Sequence, residues 1–231
     1  MNTIICGDLH GKLDVAKALL DVYKEEKLVF IGDYVDSFTE SVATQIALLR
    51  LLLDARRDSE QNVTVLAGNH ELSYIDQKHR ASGWNAAMSA HMLPLEPELR
   101  DLPKFLWVGR YLISHAGVSR KLLQTIEGEG KLTKMKEARH LREYLRGMKF
   151  DEIGYARGGA SPVGGLMWCD WFEEFTPLTV ANQVVGHSGT RRATGPQGII
   201  ELEGNYNVDC LDHTQEVLSI TDEGIVEIIP L

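Results

Sequence analysis

The chain has 231 residues, enough for one well-buried core, and residues 1–231 are expected to form a single domain. Hydrophobic residues at 44% and charged residues at 25% are ordinary for a folded soluble protein and exclude disordered, collagen-like and low-complexity classes. Lys plus Arg at 24 against Asp plus Glu at 33 gives a formal net charge of −9, which argues against general nucleic-acid binding or attraction to anionic membranes.

Three apolar runs near the start, Thr3 to Cys6, Leu28 to Ile31 and Val63 to Ala67, read as short strands. Between them Leu13, Ala16, Leu19, Leu20 and Tyr23, then Val42, Ile46, Leu49, Leu52 and Leu53, recur at helical spacing, so the chain opens with two βα units and a parallel sheet. The stretches from Leu72 to Leu99 and from Ser119 to Gly165 read as a helical, irregular cap over one end of the sheets. Leu106 to Val108 and Tyr111 to Ser114 flank Gly109-Arg110 as a hairpin. Further short strands are expected at Gln183 to Val185, Ile199 to Leu202, Tyr206 to Val208, Glu216 to Ile220 and Ile225 to Ile229. The fold class is therefore α/β, a two-sheet sandwich flanked by helices with a helical cap.

Cys6, Cys169 and Cys210 are an odd count without a CxxC pair and do not build a disulfide framework. With no basic leader and no apolar run of about eighteen residues, a cytoplasmic protein without a membrane partner is expected.

The chemistry lies where the strands end. Gly7-Asp8-Leu9-His10-Gly11, Gly32-Asp33-Tyr34-Val35-Asp36, Gly68-Asn69-His70-Glu71, Ser114-His115-Ala116-Gly117 and Gly186-His187-Ser188-Gly189 each join oxygen or imidazole donors to glycine. Singly, each is an ordinary turn or a hydrogen-bonded histidine. Together, at the ends of predicted strands, they point to one crevice. Carboxylate and amide oxygens mixed with imidazoles suit Mn, Fe or Zn rather than Ca.

The order GDxHG, GDxxD, GNHE, HAG and GH resembles the calcineurin-like metallophosphoesterases, and within them the phosphoprotein phosphatase branch with its bacterial and phage members and the symmetrical diadenosine tetraphosphatases. Leu102-Pro103, Met167-Trp168-Cys169-Asp170 and Asn207-Val208-Asp209 are similar to further family segments. The resemblance implies two divalent ions, Mn2+ ahead of Fe or Zn. Asp8 and His10 would hold one, Asn69, His115 and His187 the other, and Asp33 would bridge them. Such a pair, roughly 3.5–4 Å apart, clamps an in-line displacement and makes the bridging hydroxide a direct nucleophile. The resemblance also gives His70 the role of general acid, oriented by Asp36.

One departure stands out. The family usually follows the Asp36 position with Arg-Gly, where this chain has Ser37-Phe38. Arg157 and Arg191 are the expected replacements for gripping phosphate, with Arg192 adjacent. The basic stretch Lys131, Lys134, Lys136, Arg139, Arg142, Arg146 and Lys149 reads as a solvated helix face. Trp84, Trp168 and Trp171 could stack on a base or a peptide aromatic, and His79, His91, His140 and His213 have no motif context.

The expected function is hydrolysis of phosphomonoesters, with phosphoprotein on serine or threonine as first substrate. A dinucleoside polyphosphate hydrolase and a nucleotide or nucleic-acid phosphatase are alternatives. An inactive scaffold of this fold should lack ligands, whereas all six positions carry ligating residues.

Overall fold

A computed structural model describes residues 1–58, 62–76, 79–147, 152–193 and 198–231. Its strands are β1 (Thr3–Cys6), β2 (Lys27–Phe30), β3 (Val63–Val65), β4 (Phe105–Val108), β5 (Tyr111–Ser114), β6 (Asn182–Val185), β7 (Ile200–Leu202), β8 (Asn205–Asn207), β9 (Glu216–Ile220) and β10 (Val226–Pro230). They build two five-stranded mixed sheets, ordered β10-β9-β1-β2-β3 and β4-β5-β6-β8-β7. Strands β1, β2 and β3 are parallel, as are β5, β6 and β8. Antiparallel β9, β10, β4 and β7 complete the edges.

The two sheets face each other across Ile5, Val29, Ile31 and Leu66 on one side and Ile113, Val184 and Val208 on the other. Alternation sends Ile4 and Cys6 to the opposite face of β1, where they meet Leu49 and Leu52. Those leucines belong to helix α2 (Val42–Arg57), which packs beside α1 (Leu13–Val22). Because both faces of β1 are buried, its sequence is continuously apolar rather than alternating.

The predicted cap divides in two. Met88, Met92 and Leu99, from α4 (Ala86–Met92) and α5 (Glu96–Asp101), join the flank of the first sheet. Leu122, Leu123, Leu141 and Leu145, from α6 (Arg120–Glu127) and α7 (Lys134–Arg146), join Leu112 on the flank of the second. From the same stretches residues 80–82 and Arg157 reach the mouth of a cleft, together with Trp168. The basic residues Lys134, Lys136, Arg139, Arg142 and Arg146 lie on α7, and none of them lines that cleft. Lys149 lies outside the described residues. Cys6, Cys169 and Cys210 are free and buried. Among the described residues no helix is long and apolar enough to cross a membrane.

Candidate metal centre

Each of the five strand-end clusters leaves the carboxyl end of a parallel strand: β1, β2, β3, β5 or β6. The turns there are tight and unusual. His10, Asp33, Asp36 and His187 have φ of 38°, 55°, 64° and 66°, in the left-handed region that side chains seldom enter. Four such residues at one place are strain held by the surrounding fold, which is the mark of a functional site. Glycine permits the close approach of the loops. A Cβ on Gly68 would stand 2.2 Å from Asp33 Oδ1, and one on Gly186 would stand 2.2 Å from Asp8 Oδ1.

Glu71, to which the sequence reading gave no role, ties two of these loops together. It sits at the third position of α3 (Asn69–Ile75) and is fully buried. Its Oε1 accepts from Tyr34 N at 2.8 Å, and its Oε2 accepts from Asp33 N and Gly68 N, both at 3.0 Å. Asp33 and Asn69 are thus fixed relative to each other by one carboxylate.

Asp33 lies at the centre. Its Oδ1 accepts from His70 N at 3.1 Å. Its Oδ2 lies 3.4 Å from His115 Nε2, 3.7 Å from His70 Nε2 and 3.8 Å from His10 Nε2. Two donor groups result, His10 with Asp33 and His70, and Asp33 with His115 and His187, and Asp33 belongs to both. Asn69 Oδ1 completes the second, 2.7 Å from His115 Nε2 and 2.9 Å from His187 Nδ1. Asp8 lies behind them, accepting from His187 N at 3.1–3.2 Å.

The protonation of this cluster fits divalent metal ions. His10 Nδ1 faces the Val35 carbonyl at 2.8 Å and His115 Nδ1 the Ile31 carbonyl at 3.2 Å, so each carries its proton there and turns a lone pair on Nε2 inward. Burial pushes His10 down to about 4 and His115 and His187 well below the usual imidazole range. They are neutral donors, as metal ligands must be. Burial pushes the Asp8 and Asp33 carboxyls up, with Asp209 adding to the repulsion at both. A bound cation would relieve carboxylates packed in this way.

His70 differs from the other three site histidines. Burial lowers its pKa, but the Asp33 and Asp36 carboxylates outweigh that and raise it to about 9. Its Nδ1 donates to Asp36 Oδ2 at 2.9 Å. It falls within ligand distance of one donor group, yet its raised pKa distinguishes it from the three histidines whose pKa values are lowered.

The centre opens into a cleft of about 830 Å³. Its walls include Arg80, Arg157, Arg191 and Arg192. Arg157 Nη2 donates to the His187 carbonyl at 3.1 Å and to Ser188 Oγ at 2.9 Å, while its Nε stands 2.9 Å from Asp170. Arg192 donates to the same carboxylate at 2.6 Å. Among the described residues Arg80 and Arg191 make no ion pair. The sequence reading brought out Arg157 and Arg191 but passed over Arg80, Asp209 and His213, all of which line the cleft. No motif marked Arg80 or His213, whereas Asp209 stood in a noted family segment. Trp168 meets His187 edge to face at 5.8 Å, whereas Trp171 is buried against Phe175.

Known proteins resemble this chain in sequence and in fold. A serine/threonine-protein phosphatase of Caenorhabditis elegans is 31% identical over 127 residues, which is 51% of this chain and only 27% of that protein. A cold-active protein-tyrosine phosphatase from a psychrophilic Shewanella superposes with a TM-score of 0.59 at 18% identity, over 98% of this chain and 80% of its own. A serine/threonine phosphatase of Saccharomyces cerevisiae gives 0.55 at 15% identity, over 100% and 80%. At such identities the two structures speak for the fold alone. Residues 1–214, which hold every donor described above, match the family pattern of the calcineurin-like phosphoesterases, and the chain belongs to that family.

Proposed function

We propose that residues 1–231 act as one metal-dependent phosphomonoesterase, of the serine/threonine protein phosphatase type. The observation that carries this reading is the pair of donor groups sharing Asp33, with His70 tied to Asp36 and facing an open cleft. Asp8 and His10 would hold one ion, Asn69, His115 and His187 a second, and Asp33 both. When bound, two such ions acidify a water and neutralise charge on the phosphoryl oxygens. Mn2+ suits this mixture of imidazole and carboxylate better than Mg2+ does.

The protein's own groups do the rest. Asp36 Oδ2 holds Nδ1–H of His70, which leaves Nε2–H to be given to the departing oxygen. Arg157, its guanidinium fixed by Asp170 and Ser188, and Arg191, which makes no ion pair among the described residues, offer cationic contacts to a phosphate in the cleft. The phosphoprotein substrate is favoured by the name of the nematode relative, of which this chain matches about a quarter.

The test is a substrate panel on protein first stripped with chelator and then reloaded. Hydrolysis of an aryl phosphate should vanish on stripping and return with Mn2+ more fully than with Mg2+. Phosphoserine and phosphothreonine peptides should be turned over faster than diadenosine tetraphosphate. Asp33→Asn should bind less metal and lose most of its rate, since it weakens both groups at once. Full activity after exhaustive chelation would overturn the reading.

A further inference from the structure

Asp36 is held by more than His70. It is 1% exposed, its φ is +64°, and both of its oxygens are occupied. Oδ2 takes the His70 Nδ1 proton, and Oδ1 takes a hydrogen bond from the hydroxyl of Tyr74, one turn further along α3. Tyr74 is anchored in its turn. Its oxygen accepts from Asn85 N at 3.2 Å, and its ring stacks on Trp84 with centroids 5.8 Å apart and planes 21° apart. The Arg80 guanidinium lies over the same Trp84 ring at 3.8 Å. Gly83, at φ +84°, lets this segment close on Asp36. A Cβ there would stand 2.8 Å from the Asp36 carbonyl oxygen and 3.1 Å from its Cβ.

We propose that Tyr74 is a positioning residue for the phosphoester reaction: it pins Asp36 Oδ1, so that Oδ2 points at His70 and His70 Nε2 points at the leaving oxygen. This rests on the reading of His70 as proton donor. The physical reason is rotational. A carboxylate with one partner swings about its Cβ–Cγ bond, whereas donors on both oxygens fix its plane and with it the imidazole plane. A buried carboxylate oxygen without a donor is also costly, so Asp36 would reorganise if the hydroxyl were removed. Burial and the Asp36 bond push the Tyr74 hydroxyl above its ordinary range, so it stays protonated and remains the donor.

The experiment compares wild type, Tyr74→Phe and His70→Asn, all loaded with Mn2+, on aryl phosphates of increasing leaving-group basicity. Phenylalanine keeps the ring on Trp84 and removes only the hydroxyl. Tyr74→Phe should lower kcat about tenfold for phenyl phosphate and little for a nitrophenyl ester, with KM within about twofold, a fraction of the 10²–10⁴-fold that a general acid supplies. Adding Tyr74→Phe to Asp36→Asn should cost nothing further, because the oxygen it served is already reoriented. A uniform loss across the series, or a change in KM alone, beside a His70→Asn variant that does depend on the leaving group, overturns the role of Tyr74 and leaves His70 standing. If His70→Asn is itself uniform across the series, the proton-donor reading falls and the role of Tyr74 falls with it.

Discussion

Glu71 is a buried carboxylate whose three backbone partners are the amides of Asp33, Tyr34 and Gly68. Burial pushes its pKa up, whereas the Tyr34 amide, the His70 imidazolium and the Gly68 and Asp33 amides pull it down. Glu71→Gln would turn an NH2 group toward amide N–H groups and set donor against donor. Hydrogen bonds to a charged group are worth roughly 1.5–3 kcal/mol each, so loss of one or two should destabilise by about 2–4 kcal/mol in denaturant unfolding. Metal affinity should fall as well, because Asp33 and Asn69 lose their common tie. An unfolding midpoint like that of wild type would show that the carboxylate is not needed there.

At the scale of elements, α5 ends against a lysine. Lys104 Nζ donates to the carbonyls of Arg100, at 3.2 Å, and Leu102, both at the carboxyl end of that helix. The site suits a cation, but burial dominates and lowers the Lys104 pKa from 10.5 to about 8. Between those values the unfolded chain binds the proton more firmly than the folded one. The folded state is therefore penalised below pH 8, and the penalty lifts as pH rises toward 10.5. Relative to Lys104→Met, the wild type should gain unfolding free energy from about pH 7.5 to 10. A difference that stays flat across that window would contradict the shift. Lys104 belongs to neither donor group, so the effect should appear with or without metal.

Across the whole molecule, the centre depends on two sheets that meet face to face. Asp8, Asp33 and Asn69 come from the first sheet, and His115 and His187 from the second. A bound ion would therefore cross-link the layers as well as relieve the repulsion among Asp8, Asp33 and Asp209. Ligands that bind only the folded state stabilise it by mass action, about 2.7 kcal/mol at one hundred times Kd. Mn2+ should accordingly raise Tm by several degrees and chelator should lower it, whereas Ca2+ at the same concentration should do little. An unchanged Tm, followed by scanning calorimetry with metal content measured on the same samples, would argue against ligands drawn from both layers.

What the sequence determined by itself was local. The apolar runs placed the strands to within a residue or two, most plainly β1 and β2, whose two faces are both buried. The clusters of Gly with Asp, Asn or His announced the turns, and the backbone angles at His10, Asp33, Asp36 and His187 show why such turns need close glycine neighbours. The tertiary structure decided what sequence distance hides. No motif marked Tyr74 or Arg80, and only the fold, closing through Gly83 on Asp36, brings Tyr74 onto that carboxylate and Arg80 over Trp84. Glu71 carried a charge with no visible purpose until Tyr34, 37 residues away, presented its amide. The cap, read as one body, separated into two flanks because each sheet needed its own outer face covered. Hydrophobic pattern is written in neighbouring residues and survives in one dimension, whereas a hydrogen-bond partner is chosen by packing between segments that the sequence keeps apart.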